Sequence, residues 1–455
     1  MAIPDRMKYR SGDVERPARG GAVVFWPPPR DGWIAIASVA LIYGAHWLYG
    51  ALISDAAMLL NIGAAVLVGG ALLSPRLRND VLRLKGLAAP AICFGIVISV
   101  ALWTLTPWTL GGPHPVWAYV GVAFGASTID KSATTIEIVK LLGLGCIFVV
   151  GAATGGRDDR ARYAIELTIA AGVIFGIWAL VGSSTGSIYQ SGGHRLEGHF
   201  LNPNTAGTVF AVLLILSVAQ LVRALRPPKR NLTHALPSAT ASLALLVCLL
   251  DSASRGAALA FLVASLVYLG LQIASGHLKL GSAIIGSLLG IAALIFVVSI
   301  AGEQLIDRIF DSHEASIARL DIWRFHWQTF VDSPLFGYGL GTSETVNKSL
   351  LTLSNYDRLW NIRSILNVYL QWLEEAGIIG AAPMFACLAL LLATTVRNSL
   401  RRHRMAGLLA SLIAADAVVM IHGATDFGLE VPSVAAFWAW LLGVQYSLAQ
   451  GSSNR

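Results

Sequence analysis

Residues 204–222 read NTAGTVFAVLLILSVAQLV and contain no charged side chain. A helix needs about 20 mostly apolar residues to cross the hydrocarbon core of a bilayer. Similar stretches recur along the chain, so the sequence predicts an all-α polytopic membrane protein with about 12 transmembrane helices. The predicted spans lie near 33–53, 55–73, 87–106, 136–154, 163–182, 204–222, 236–251, 256–275, 281–301, 376–396, 405–422 and 432–450.

The composition agrees with a membrane protein. Of the 455 residues, 55% are hydrophobic and 13% are charged, whereas soluble domains carry about 25% charged residues. Fibrous, disordered and disulfide-rich secreted classes are excluded. The cysteines fall within predicted spans and are expected to act as small packing residues. The sequence has neither a phosphate-binding Gly-Lys-Ser/Thr loop nor an Asp-x-Asp pair, so nothing supports a nucleotide-driven pump or a metal-dependent nucleotide-sugar transferase.

The basic residues predict the orientation of the chain in the membrane. Four alternate connections are basic, and the positive-inside rule places such connections in the cytoplasm. The organisation that follows is a cytoplasmic tail at 1–32, nine spans within 33–301, an extracytoplasmic loop at 302–365 and three spans within 366–455, with both termini cytoplasmic. The basic side chains are Arg76, Arg78, Arg83 and Lys85; Arg157, Arg160 and Arg162; Arg223, Arg226, Lys229 and Arg230; Arg397, Arg401, Arg402 and Arg404.

Polar side chains collect on the opposite, predicted extracytoplasmic side. Arg195, Asn202 and Asn204 lie in a glycine-containing loop before the sixth span, together with His194, Glu197 and His199. They are candidates for binding a polar ligand, although Asn204 capping the next helix is an equally good interpretation. Arg255 lies in DSASRGA, 251–257, a charged break between two apolar runs. Charged groups at membrane depth tend to line functional sites, but this arginine can also extend to lipid phosphates.

The segment 315–332, ASIARLDIWRFHWQTFVD, predicts an amphipathic helix along the membrane interface. Arg324 falls inside its apolar stripe, and Arg319 and His326 share the edge of that stripe. These cations either touch lipid phosphates or clamp a specific diphosphate, for which guanidinium groups offer bidentate geometry. The apolar stripe comprises Ile317, Leu320, Trp323, Trp327, Phe330 and Val331.

Two later segments add carboxylates and a histidine. NIRSILNVYLQWLEEAGIIG, 361–380, brings Asn367 and Glu374 close to the tenth span, where they are either ligand contacts or a solvated helix start. HGATDFGLEVP, 422–432, holds His422 and Asp426, which are four residues apart. They can form a hydrogen-bonded dyad if the stretch is helical, although a simple interface histidine is as good an interpretation.

Several strings together resemble the O-antigen ligase and O-antigen polymerase superfamily of bacterial envelope enzymes. The resemblance covers about 195–455, and its motifs occur in the family's usual order. The strings are GHFLNPNTAGTVFA (198–211), DSASRGA (251–257), ARLDIWRFHWQTFVDSPLFGYGLG (318–341), NVYLQWLEEAGIIG (367–380) and HGATDFGLEVP (422–432).

The resemblance implies a membrane glycosyltransferase of the C type in the bacterial inner membrane. Its donor would be a glycan on undecaprenyl diphosphate, and it would need no metal or other cofactor. An acceptor hydroxyl on a glycan, lipid A core or protein would attack the anomeric carbon with inversion, while a general base takes the proton. Arg255 and Arg319 match the diphosphate contacts of the family. A chain-length regulator and a flippase are candidate partners, and nucleic acid is not.

The sequence departs from the ligase pattern at Leu366, where these enzymes typically have the histidine favoured as the catalytic group. A leucine cannot act as a base. His422, oriented by Asp426, is the first replacement, and His326, Glu374 and Glu430 are alternatives. The missing histidine favours the polymerase branch, which joins lipid-linked repeat units into exopolysaccharide, capsule or O-antigen. Ligation to lipid A core or protein stays an alternative, as do a polytopic transporter and a non-catalytic scaffold.

Overall fold

The computed structural model describes residues 28–122, 124–186, 195–226, 231–276, 278, 281 and 313–451. Within these ranges the chain forms helices and no β-strand. The α-helices, in chain order, are α1 (Trp33–Trp47), α2 (Ser54–Leu73), α3 (Pro75–Leu82), α4 (Ala88–Thr104), α5 (Val116–Tyr119), α6 (Lys131–Gly155), α7 (Asp158–Thr185), α8 (Pro203–Leu225), α9 (Leu232–Asp251), α10 (Arg255–Ala274), α11 (His313–Asp332), α12 (Ser343–Ser349), α13 (Tyr356–Leu359), α14 (Val368–Ser399), α15 (Ala406–Gly423) and α16 (Pro432–Gln450).

The helix pattern is that of a polytopic membrane protein, as predicted. Eight of the described helices are long and apolar enough to cross a bilayer, namely α2, α6, α7, α8, α9, α10, α14 and α15. The apolar helices α1 and α4 are shorter. Among the predicted spans, 281–301 lies outside the described residues, and each of the others coincides with a helix. Local hydropathy was therefore enough to find them.

Glycines bring α6 and α16 into direct backbone contact. A Cβ atom on Gly151 or Gly155 would overlap the carbonyl of Trp440 or Val444, and one on Gly443 would overlap the carbonyl of Phe148. Membrane helices have little hydrophobic drive to associate in lipid, so small residues that permit close backbone approach are the usual means of packing. The last helix is thereby fixed against the middle of the bundle.

The ends of the bundle differ in chemistry. One end carries the basic connections, and there the buried guanidinium of Arg160 donates to Asp80 Oδ2 at 2.7 Å and to Thr154 O at 3.0 Å. Arg402 and Arg404 both pair with Asp158 at the same end. The other end holds the starts of α8, α10 and α14 and the loops around them. We call it the motif end, because every string of the family resemblance reaches it.

Helix α14 is broken at Gly377, where φ is 59° and ψ is −175°. This conformation is essentially restricted to glycine. The loop 333–341 enters the break and satisfies the backbone groups that the helix leaves unpaired, as the membrane environment requires. The bonds are Tyr338 N to Glu374 O at 3.0 Å, Gly339 N to Glu375 O at 2.8 Å, Ile378 N to Pro334 O at 2.8 Å and Ile379 N to Leu335 O at 3.1 Å.

The carboxylate of Glu375 locks the same loop in place. It accepts from Gly341 N at 2.8 Å, Ser343 N at 3.1 Å and Ser343 Oγ at 2.5 Å, and also from Gln371 Nε2 at 3.2 Å. A buried carboxylate with this many donors is structural. Because Glu374 is the next residue along the helix, the lock also fixes the orientation of its side chain.

Candidate active site

Three helices at the motif end begin in the same way. A residue with positive φ is followed by a residue whose side chain caps the helix, in the pairs 201–202, 253–254 and 366–367. Asn202 Oδ1 accepts from the backbone N–H groups of Asn204 and Thr205 at 2.7 and 3.2 Å. The polar cap satisfies donors that the first turn of a helix cannot pair internally. These starts aim their backbone N–H groups and positive dipole ends towards the motif end.

The predicted ligand-binding role of two asparagines is not supported by these contacts. Asn202 caps α8, and Asn367 Oδ1 caps α14 by accepting from the backbone N–H groups of Tyr369 and Leu370, both at 3.1 Å. The expectation that Asn204 is the cap of α8 is also wrong, because the helix begins two residues earlier. Pro203 is the first helical residue, a position that suits proline because no N–H is needed there.

Arg195 binds the protein itself. Its Nε donates to the carbonyl of Ser252 at 3.0 Å, and its second terminal nitrogen donates to Ala253 O at 3.3 Å and Asn204 Oδ1 at 3.1 Å. The guanidinium therefore joins the start of α8 to the turn between α9 and α10. These contacts give Arg195 a positioning role, and its substrate contact stays a prediction. His194 from the same loop lies outside the described residues.

A polar network extends from Asn204 to the end of α15. Asn204 Nδ2 donates to Asp426 Oδ1 at 3.2 Å, and Thr208 Oγ1 lies 2.6 Å from His422 Nδ1. The predicted dyad between His422 and Asp426 is wrong, because α15 ends at Gly423 and the next residues leave the helical spacing. Sequence reasoning missed Thr208, although a polar residue four positions after Asn204 within an apolar run was a signal.

The Thr208 hydroxyl has two neighbours that can accept its proton. It lies 3.1 Å from the carbonyl of Asn204 and 2.6 Å from His422 Nδ1. When the hydroxyl donates to Asn204 O, His422 Nδ1–H donates to Thr208 and Nε2 carries the lone pair. Nε2 lies against Gly256, where a Cβ atom would be 2.7 Å away. A side chain at position 256 would therefore fill the space beside Nε2.

The two predicted arginines belong to elements that adjoin His422. Arg255 is the first residue of α10 and is exposed, and its neighbour Gly256 touches the imidazole. The positive charge of Arg319 in α11 acts on both His422 and Asp426. Burial raises the pKa of Asp426 to about 6, while the hydrogen bond from Asn204 and the charge of Arg319 oppose that rise. The helices that carry the two arginines predicted as diphosphate contacts therefore both lie near His422.

The second histidine of the site has a carboxylate partner. His326 Nδ1 lies 2.7 Å from Glu374 Oε2, and both side chains are almost fully buried. The pair joins α11 to α14, and Trp323 Nε1 donates to Ile365 O at 3.1 Å beside it. Within the described part of the chain, His326 Nε2 and Glu374 Oε1 are buried without a hydrogen-bond partner. An imidazole oriented by a carboxylate is suited to accept a proton on its other nitrogen.

Arg324 does not join the other cations of its helix. It is exposed on the same side of α11 as Leu320, Trp327 and Val331, whose exposed fractions are 60, 52 and 54%. At 100° per residue, this face lies roughly opposite the one that carries His326. The predicted clamp of three neighbouring cations is therefore wrong. The predicted helix is confirmed, but its apolar stripe is divided, because Leu320, Trp327 and Val331 are exposed whereas Phe330 is buried. The side chain of Ile317 lies outside the described residues.

Glu430 is a poor candidate for a base. It lies in a short 3-10 turn, Gly428–Glu430, before α16. Burial and the nearby carboxylates of Glu375 and Glu137 hold the pKa of Glu430 well above its usual value, against the opposing charge of Lys140. A carboxyl that stays protonated cannot take a proton from an acceptor hydroxyl.

A family model described as O-antigen ligase matches residues 240–385. This part of the chain is similar to the O-antigen ligases. The matched segment contains Arg255, Arg319, His326 and Glu374, so both the arginines and the histidine–carboxylate pair lie within it. The predicted resemblance, which spans about 195–455, is confirmed for residues 240–385, and the match supports a membrane enzyme of the envelope glycan ligase or polymerase kind. No significant match was found among curated proteins.

Proposed function

We propose that the protein joins lipid-linked repeat units into an envelope polysaccharide. It would transfer a growing glycan from undecaprenyl diphosphate to an acceptor hydroxyl in the bacterial inner membrane. The observation that carries this proposal is that the start of α10, which holds Arg255, adjoins His422 at the motif end, where the charge of Arg319 also acts. Guanidinium groups suit diphosphate recognition, and the positive dipole end of a helix favours the same anion.

The reaction we propose is a direct displacement with inversion. The acceptor hydroxyl oxygen forms a bond to the anomeric carbon, and the bond from that carbon to the diphosphate oxygen breaks. The electron pair of the broken bond stays on the diphosphate, whose charge Arg255 and Arg319 stabilise. The hydroxyl proton passes to His326 Nε2, and Glu374 stabilises the imidazolium that forms.

The geometry of α11 favours separate roles for Arg319 at the leaving group and His326 at the acceptor. Arg319 and His326 are seven residues apart, two turns and about 10 Å along the helix axis, so they share a face. One helix can therefore contact the leaving group near α15 and the acceptor near α14. His326 replaces His422 as our proposed base, because the structure gives the carboxylate partner to His326. Leu366, at the usual histidine position, still favours the polymerase branch.

Glycan analysis in a deletion strain tests the proposal. The strain is complemented with wild type, Arg255→Gln, Arg319→Gln or Arg324→Gln, and all proteins are compared at equal membrane abundance. We expect lipid-linked single repeat units to accumulate and long polymer to fall by about a hundredfold with the first two variants. Arg324→Gln is the matched control, because its charge lies on the opposite face of α11, and it should restore polymer.

The second candidate function is ligation, which the family match favours by its description. Long polymer that forms on the carrier but fails to reach its final acceptor in the deletion strain would assign the protein as a ligase. Normal product from both Arg255→Gln and Arg319→Gln would contradict either enzyme and support a transporter or a non-catalytic scaffold.

A further inference from the structure

The opposite end of the bundle contains a second concave site. A cavity of about 220 Å³ lies between the ends of α7, α8, α10 and α15. It belongs to the end with the basic connections, which is predicted to be cytoplasmic. It is separate from the motif end, since α8 and α10 run the length of the bundle between the two.

Cations surround this cavity. Arg162, Arg223, Arg226 and His403 line it, and none of the described lining residues is acidic. Arg162 and Arg223 are close enough for their like charges to repel each other. Glu166 contacts Arg223 at 3.2 Å, and the charges of Glu166 and Asp158 also act on Arg162. Like charges gathered around one concavity are favourable when an anion occupies it.

The inner wall adds neutral hydrogen-bonding groups. Tyr268 and Gln272 are buried, and Gln272 Nε2 donates to the tyrosine hydroxyl at 3.0 Å. The tyrosine proton is therefore available to another acceptor. Helix α15 also begins at the cavity, after Met405, whose side chain does not cap it. Its first turn directs the positive end of the helix dipole towards the same space.

The remaining walls are apolar and include Val222, Met405 and Leu408. A fully hydrated ion gains little from such walls, whereas an amphiphile matches both surfaces. We propose that this cavity binds a phosphate ester, namely the headgroup of an anionic phospholipid, with its phosphate between the arginines and its glycerol and chains along the apolar wall. Basic pockets between membrane helices on the cytoplasmic side are suited to such headgroups.

Lipid binding to the full-length protein in detergent tests this site. Dioleoyl phosphatidylglycerol is titrated, with dioleoyl phosphatidylcholine and inorganic phosphate as comparisons, and bound lipid is counted by native mass spectrometry. We expect the R162Q/R223Q/R226Q variant to bind phosphatidylglycerol at least about tenfold more weakly, since each arginine near a membrane surface contributes about fivefold. R78Q/R83Q/R401Q removes the same charge from exposed positions outside the cavity and should stay within about twofold of wild type.

The comparison lipids identify the source of the phosphate. Competition by inorganic phosphate that depends on the three arginines would assign the cavity to a free phosphate group. Equal binding of phosphatidylglycerol by the wild type and R162Q/R223Q/R226Q would overturn the proposal, as would equal binding of phosphatidylcholine and phosphatidylglycerol. If the triple variant is unfolded by size-exclusion chromatography, R162Q and R226Q are tested singly, each with about a fivefold expected loss.

Discussion

His326 and His422 are both buried at the motif end, but their Nδ1 atoms meet different partners. His326 faces the carboxylate of Glu374, and His422 faces the hydroxyl of Thr208. A carboxylate stabilises the imidazolium that forms when a histidine accepts a proton, and a hydroxyl does so far less. The positive charge of Arg319 beside His422 also opposes a second positive charge there.

The different partners of the Nδ1 atoms indicate different roles for the two histidines. In our proposal, His326 accepts a proton during turnover, whereas His422 stays neutral beside the positive charge of Arg319. The ring of His422 lies between Gly256 and Thr208 and would support the start of α10. We therefore propose proton transfer for His326 and support of the leaving-group site for His422.

The largest effect should come from removing the proposed base. We expect His326→Ala to lower the rate of polymer formation by roughly a thousandfold, within the range for loss of a general base. His422→Ala should lower it by about tenfold, because only the support of the arginines is lost. The measurement is the initial rate of repeat-unit joining by purified protein on a lipid-linked donor.

His234→Ala is the matched control for both substitutions. His234 lies in the first turn of α9, and this helix reaches the motif end only at its last residue, Asp251, so removal of His234 should leave the rate unchanged. A larger loss with His422→Ala than with His326→Ala, at equal folded protein, would reverse the comparison and restore His422 as the base.

Substitution of the partner of each histidine should affect the rate in the same order, with a larger loss for Glu374 than for Thr208. Glu374→Gln keeps a hydrogen-bonding group of the same size but removes the charge that stabilises the imidazolium. We expect a rate about a hundredfold lower, with little change in the KM for the lipid-linked donor. Thr208→Val removes the hydroxyl beside His422 and should lower the rate by less than about tenfold.

The double variant H326A/E374Q checks that the first pair acts as a unit. It should be no slower than His326→Ala alone, because Glu374 acts only through the imidazole. A further loss of about a hundredfold in the double variant would mean that Glu374 has its own role in the reaction.

A smaller effect is expected at the position where the ligases have their histidine. Leu366 has a φ of 57°, a conformation that histidine adopts more readily than leucine. Leu366→His should therefore fold normally and change the rate by less than about twofold if His326 is the base. The initial rate of the purified variant decides this, and an increase of tenfold or more would show that the missing histidine limits the wild-type enzyme.

The fold was predictable because hydropathy is a local property. Each described predicted span is a helix, since an apolar run of sufficient length has no other structure with satisfied backbone groups in lipid. The break of α14 at Gly377 was not predictable in the same way. It depends on the loop 333–341, which is distant in the sequence and supplies the backbone partners at the break.

The sequence predicted which residues belong to the candidate site, but it did not predict the hydrogen bonds between them. Asn202 precedes a proline, which is a local signal for a helix start. The prediction of Asn204 as the cap did not use this signal. The partners of His326 and His422 lie 48 and 214 residues away in the sequence. A spacing rule favoured the nearby Asp426 instead, and it failed because four-residue spacing brings side chains together only within a helix, whereas α15 ends at Gly423.

The smallest effect concerns Asp426. Its hydrogen-bond partner is Asn204 and neither of the two histidines. Its pKa of about 6 in the folded protein, raised by burial, exceeds the usual value of 3.8. The folded state therefore binds an extra proton between these values, and wild-type stability falls as the pH rises through about 6. Asp426→Asn has no charge to bury, so its melting temperature should exceed that of the wild type by a few degrees at pH 8.

That difference in melting temperature should shrink as the pH falls from about 6 to 4.5, and it should disappear only below about 3.8, where the carboxyl is protonated in both the folded and the unfolded state. A constant difference between pH 4.5 and pH 8 would show that burial of the Asp426 charge does not cost stability. If the predicted pH dependence is found together with lower polymerisation activity of Asp426→Asn, the buried charge is retained for function at a cost to stability. That result would support a place for Asp426 with Arg319 and His422 in the leaving-group site, because replacing a purely structural carboxyl by its neutral isostere would raise stability and leave activity unchanged.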